Sequence, residues 1–482
     1  MSEGLGRQAV RGVAWLGGGQ LIRQVIGLLT TAVLARLLTP DDFGLFGMSY
    51  MAAELAQLLT AFGFGAAIVQ RQVESPSVLT SAFWANILLG LVIACLLVAS
   101  GPLLALYFRR QEVAHLMWPL ALNMVVAAAV VVPQAILTQR MHFVSITRAQ
   151  AVGSVCAAVA AVAAAYLGAG YWSLAVQPMV GGIVTGLMMA RSACWTPRGK
   201  PAFEHIRDML GFSSNLMGSH VVGWAGRNMA SMVLGRQLGA AQVAVYGLAS
   251  HITGAVLTQI SSVIVRVLFP TLSVLKEEPQ RLHNAWNQSC AGIAVIAFPL
   301  LAVIIGVADD FVMVVLGSQW TEAAGPLRWL SAAMGFQAVL TTSGTMLMAM
   351  GRTDWLLRLS VVTTLALFGG LWLGSQFGVT ESALAYSLIS TASYLMTTYL
   401  ACRVCGLPLR KLLGSLLPWA ASACVAGLVA QGGVWLLPDW LPWPRLLLCS
   451  LAGGVAYLVM LALVARDRTT SLISSIWKNL RR

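Results

Sequence analysis

Charge is scarce in this chain: Asp, Glu, Lys and Arg make up 10% of its 482 residues, against 58% hydrophobic ones. Soluble domains carry roughly a quarter charged residues. A chain so poor in charge cannot cover itself with polar surface, which excludes an ordinary water-soluble domain and makes lipid its solvent. Signatures of covalent chemistry are missing too. No GxxxxGK[ST] run offers backbone amides to a nucleotide phosphate, so ATP is not expected to drive the chain directly. No GxSxG, HExxH or paired-acid loop stands out, and the sequence predicts neither an enzyme nor a bound cofactor. The eight cysteines supply no metal site. Cys402 and Cys405 have CxxC spacing but lack a second pair or a neighbouring His, and Cys95, Cys156, Cys290, Cys424 and Cys449 lie in apolar segments as small, lipid-compatible residues.

What is present is a succession of apolar runs. About 20 residues of helix cross a hydrocarbon core, and windows of that kind fall at 10–35, 43–69, 80–108, 113–137, 149–167, 171–190, 211–234, 243–269, 287–308, 326–350, 355–376, 382–401, 414–437 and 446–465. Because the runs are continuous and do not alternate, helices are expected and not a barrel. The first run follows Glu3, Arg7 and Arg11 with no short apolar core and cleavage site, so it is expected to stay in the mature protein.

The net charge of +13 does not form a nucleic-acid footprint, because the basic residues lie in short connectors. With the N-terminus in the cytoplasm, 21 Lys and Arg fall on the inner side and six on the outer. The outer six are Arg36, Arg109, Arg110, Arg236, Arg328 and Arg445. That bias predicts both termini in the cytoplasm.

The chain also repeats. Val33-Leu34-Ala35-Arg36-Leu37-Leu38 recurs as Val233-Leu234-Gly235-Arg236-Gln237-Leu238, an offset of 200 that persists from Phe46-Gly47 to Tyr246-Gly247. Six helices separate the copies, so both enter the membrane in the same direction. The expected fold is therefore an all-α polytopic membrane protein of about 14 spans. Two six-helix lobes would be related by a pseudo-twofold along the membrane normal, followed by two further helices. In residue numbers this gives an N-lobe at 1–190, a cytoplasmic linker at 191–208, a C-lobe at 209–402, an added pair at 403–465 and a basic tail at 466–482. Residues 271–284 read as a short amphipathic surface helix.

Charges within apolar helices are candidate functional residues. Arg23 lies twelve residues before Ala35 and Glu54 eleven after Phe43. At 1.5 Å per residue both sit roughly 16–18 Å from the outer ends of adjacent helices, where they can meet. Gln20, Arg23 and Gln24 share one helical stripe and Glu54 and Gln57 another; His220 and Arg227, then His251, mark comparable stripes in the second copy. One reading is a buried Arg23–Glu54 pair that fixes helix packing. The other gives Arg23 and Arg227 to an anionic headgroup, with Gln20, Gln24, Gln57, His220 and His251 lining the cavity and Glu54 relaying a proton or cation.

The first helix and its exit, from Gly12-Val13-Ala14-Trp15 through Ala35-Arg36-Leu37-Leu38-Thr39-Pro40-Asp41-Asp42-Phe43-Gly44-Leu45, resemble the start of the polysaccharide-transport flippases. These form a branch of the multidrug/oligosaccharidyl-lipid/polysaccharide exporter superfamily. Phe62-Gly63-Phe64-Gly65 and Arg266-Val267-Leu268-Phe269-Pro270 continue the likeness. The resemblance implies a bacterial inner-membrane protein whose two lobes enclose a cavity open alternately to each side. It implies an undecaprenyl- or other polyprenyl-pyrophosphate-linked oligosaccharide as cargo, an ion gradient or membrane potential as drive, and polymerase and export machinery as candidate partners. A drug or cation antiporter on the same scaffold is the alternative.

Overall fold

Local chemistry decides where each helix stops. In the computed structural model α1 (Ser2–Leu37) ends just before Thr39, and α2 (Pro40–Thr60) opens on proline, whose missing N–H removes one of the unpaired donors of a first turn. The Thr39 N–H donates to Asp42 Oδ2 at 3.0 Å and the Asp42 N–H to Thr39 Oγ1 at 3.3 Å, a reciprocal cap that satisfies two more. The same break recurs 200 residues later. Helix α7 (Ser214–Gln237) stops three residues before α8 (Ala240–Val274), with Gly239 turning the chain at φ +89°. The internal repeat thus extends to the helix boundaries.

The structure describes residues 2–60, 65, 68–69, 75–197, 214–438 and 440–464, without the side chains of 2–16, 214–220, 222 and 256–267. The remaining long helices are α3 (Pro76–Phe108), α4 (Glu112–Gln139), α5 (Phe143–Tyr166), α6 (Trp172–Ala193), α9 (Pro279–Gly306), α10 (Ala324–Ala349), α11 (Thr353–Ser375), α12 (Val379–Cys405), α13 (Leu409–Leu436) and α14 (Pro442–Val464). Among the described residues there is no strand. Helix satisfies every backbone group within its own segment, as a bilayer interior requires. Among the described residues nine helices are long and apolar enough to cross a membrane: residues 17–37 of α1, and α3, α4, α5, α6, α9, α11, α13 and α14. The other five, α2, α7, α8, α10 and α12, are also long; part of α7 and α8 has side chains outside the described residues, and Glu54, Arg227 and His251 lie on α2, α7 and α8.

One expectation is corrected here. Residues 271–284 do not form a separate surface helix: α8 continues to Val274, a single 3₁₀ turn covers Leu275–Glu277, and Pro279 opens α9. Pro279 starts a new helix because the first turn tolerates proline, and the apolar side chains Leu272 and Leu282 are buried in the core. The predicted linker beyond residue 197 and the basic tail lie outside the described residues.

The chain divides into two compact units, Met1–Ala244 and Val245–Arg482. In the first, α3, α4 and α6 enclose a core around Val132, Ile136, Leu137 and Met189. Helices α5 and α6 approach closely at Gly153, where an added Cβ would lie 3.0 Å from the Gly181 carbonyl oxygen. In the second, α9, α10 and α13 bury Trp286 and Trp419. Helix association in lipid relies on packing and polar stitches, and both are present: Trp286 donates to Thr342 Oγ1 at 3.1 Å, and Gln337 to Ser390 Oγ at 2.9 Å. Apolar side chains such as Leu357, Val361, Leu365, Phe368 and Trp372 on α11 are exposed at helical spacing, as a lipid-facing stripe should be.

Candidate functional site

Within the first unit, α1 brings Arg23 to the middle of an apolar helix. Its Nη1 donates to Gln150 Oε1 on α5. A cleft of about 360 Å³ opens around this contact, lined by Arg23 and Gly27 from α1, Gln150 and Ser154 from α5, and Gln177 and Thr185 from α6. Gly27 has nothing within 4 Å of where a Cβ would stand, so the wall of the cleft is open beside it. Among the described residues no carboxylate pairs with Arg23. Because guanidinium stays protonated and its partner is a neutral amide, the cleft holds a net positive charge amid neutral hydrogen-bonding groups.

Glu54 on α2 answers to a different helix. Asn228 Nδ2 on α7 donates to Glu54 Oε2 at 2.8 Å, and Arg227 Nη2 lies 3.4 Å from Glu54 Oε1. One turn away, Trp224 Nε1 donates to the Met51 carbonyl at 3.1 Å. Near its start α2 instead meets the first residue of α8, since a Cβ on Gly44 would strike the backbone of Ala240. The Arg23–Glu54 pair that the matched depths suggested is thus not formed; Arg227 and Asn228 hold the carboxylate instead. Matched spacing along the two helices allowed a meeting, but the rotation that decides which neighbour a side chain meets was not in the spacing.

The other expected residues scatter. Gln24 and Gln57 are half-buried, Gln20 is exposed, and His251, also exposed, belongs to the second unit. His220 is helical but its side chain lies outside the described residues. Charge alone did not point to Gln150, Gln177 or Asn228, although each is an amide within an otherwise apolar helix. At the helix ends, Arg110 forms a two-pronged pair with Asp41 at 3.2 and 2.5 Å; these hydrogen bonds, reinforced by Glu112, hold its guanidinium above its ordinary pKa.

A succession of apolar helices with a cationic cleft and a paired carboxylate inside one bundle defines a multi-pass membrane protein of the transporter class. The fold agrees: the chain superposes on the lipid II flippase MurJ in an inward closed conformation with a TM-score of 0.75, covering 94% of this chain and 99% of that one at 13% identity. Residues 33–325 match the model of the polysaccharide biosynthesis protein family, and the chain belongs to that family. It is 26% identical to the teichuronic acid biosynthesis protein TuaB of Bacillus subtilis over 94% of this chain and 95% of that protein. It is also 26% identical to the succinoglycan biosynthesis transport protein ExoT of Rhizobium meliloti, over 76% and 74% of the two chains.

Proposed function

We propose that this protein carries a polyprenyl-pyrophosphate-linked oligosaccharide repeat unit from the cytoplasmic to the outer leaflet of the bacterial inner membrane by alternating access. The long helices α1–α14 would each cross the bilayer, leaving both termini in the cytoplasm. An undecaprenyl carrier is the expected lipid. The physical need is large: each hydroxyl moved into hydrocarbon without a partner costs roughly 2–7 kcal/mol, and a pyrophosphate far more. A hydrated, positively charged path removes most of that barrier while the prenyl tail stays in lipid.

The observation that carries the reading is Arg23, a permanent cation with a neutral partner in a polar cleft. Arg23 binds the anionic headgroup. Arg227, already facing Glu54, couples the cargo to a proton or cation: an arriving anion competes for its guanidinium and leaves Glu54 free to take up positive charge. An ion gradient or the membrane potential then supplies the drive. A drug or cation antiporter is disfavoured by the same pair, because Arg227 neutralises the carboxylate that a cationic cargo would need.

The test is a deletion strain complemented with Arg23→Ala, Arg23→Lys or Glu54→Gln, with surface polysaccharide and membrane protein level measured together. Arg23→Ala should abolish polymer with protein level unchanged, and the lipid-linked unit should accumulate on the cytoplasmic leaflet. Arg23→Lys should retain part of the activity, and Glu54→Gln should lose its dependence on the ion gradient. Normal polymer from Arg23→Ala overturns the assignment.

A further inference from the structure

The last two helices carry a feature that the transport reading does not use. Between α13 and α14 the chain turns at Leu437 and Pro438, and the described residues flanking the turn are strongly apolar: Trp435 is 76% exposed, Leu436 82%, Leu441 65% and Trp443 59%. Trp440 is exposed as well. Exposed tips of this kind are ordinarily polar and mobile. This one is fastened. Arg445, in the first turn of α14, donates through Nε and Nη2 to both oxygens of Asp310, at 2.8 and 2.5 Å. Its Nη1 reaches back to the carbonyls of Leu437 and Pro438 at 3.2 and 3.1 Å. Asp310, on the short turn Ala308–Phe311 that follows α9, is 2% exposed. One guanidinium therefore ties the tip of the α13–α14 hairpin to the body of the second unit, and a bidentate, buried pair of this geometry is directional as well as strong.

We propose that this clamped tryptophan tip is a membrane-interface anchor, with the headgroup layer of the bilayer as its partner. Both flanking helices are long and apolar enough to cross a membrane, so the tip must emerge at a lipid–water boundary. Tryptophan is the side chain that boundary favours, since its ring is apolar and its N–H finds a partner among the headgroups. The Asp310–Arg445 clamp fastens the turn between Trp435 and Trp443, and the hairpin thereby fixes the depth of the second unit. This gives the two added helices a role that does not depend on what the protein carries.

The test places the photoreactive residue p-benzoylphenylalanine at position 440 in the full-length protein, reconstituted in vesicles of phosphatidylethanolamine and phosphatidylglycerol. Irradiation should attach one phospholipid at that position, read as a lipid-mass adduct on the peptide. A covalent dimer, or no lipid adduct, overturns the anchor and points to a protein partner or to water. Arg445→Gln alone leaves a buried carboxylate unpaired and can impair folding, so the clamp is tested with the pair Asp310→Asn and Arg445→Gln together. Adduct yield should fall severalfold in that variant; an unchanged yield shows that the clamp does not set the position of the tip.

Discussion

An arginine within a bilayer must find partners or water, because a bare charge in hydrocarbon is costly. Arg23 solves this with an amide and an open cleft, whereas Arg227 leans on a carboxylate and is itself largely exposed. The two cations, alike in sequence context, are therefore not equivalent: one has its charge to spare and the other shares it. Their presence inside apolar runs was legible from the sequence. Their partners were not, since Glu54 and Arg227 are 173 positions apart and a single 100° step of rotation redirects a side chain. The distinction can be tested at Gln150. Gln150→Glu keeps the shape but gives Arg23 a carboxylate, and a guanidinium already paired has less affinity to offer an anionic headgroup. Polysaccharide export should fall about tenfold or more, roughly 1.4 kcal/mol of lost binding, with protein level intact. Unchanged export would place the anion elsewhere.

Helices are joined here by close backbone approach more than by bulk. The junctions between α1 and α2 and between α7 and α8 were readable because Thr39-Pro40-Asp41-Asp42 and the 200-residue echo mark them. Residues 271–284 misled because amphipathic periodicity reports a half-buried face, not whether that face belongs to a free helix or to the ends of two long ones. Crossing points such as Gly427 are also silent in sequence, for glycine is common along the whole chain. At Gly427 an added Cβ would lie 2.8 Å from the Ala302 carbonyl oxygen, backbone that cannot step aside, while at Gly432 nothing lies within 4 Å. Gly427→Val should therefore destabilise the second unit by about 1–3 kcal/mol through overpacking, whereas Gly432→Val should be nearly neutral. Thermal unfolding in detergent compares the two, and equal melting temperatures would remove the α9–α13 crossing as a determinant of stability.

At the scale of the molecule the open quantity is how many helices cross. Hydropathy over the described residues selects nine, and nine crossings from a cytoplasmic N-terminus would put the connector after α4, with Arg140, on the outer side and Gly168 on the inner. Counting all of α1–α14 reverses both. It gathers Arg140, Arg148 and Arg191 in the cytoplasm and leaves Asp41, Asp309 and Asp310 outside, the arrangement that the basic bias requires. Helices α2, α10 and α12 carry polar groups of the kind a transport path needs, and much of α7 and α8 has side chains outside the described residues, so neither circumstance counts against crossing. Reporter fusions decide between the schemes. Alkaline phosphatase joined after Gly168 or after Pro438 should be active, because each site lies outside when all the helices cross. Green fluorescent protein joined after Met141 or at the C-terminus should fluoresce, because those sites remain inside. Nine crossings invert every one of these four signals. If only one helix between α7 and α12 failed to pass through, the signals after Met141 and Gly168 would stand and those after Pro438 and at the C-terminus would both invert.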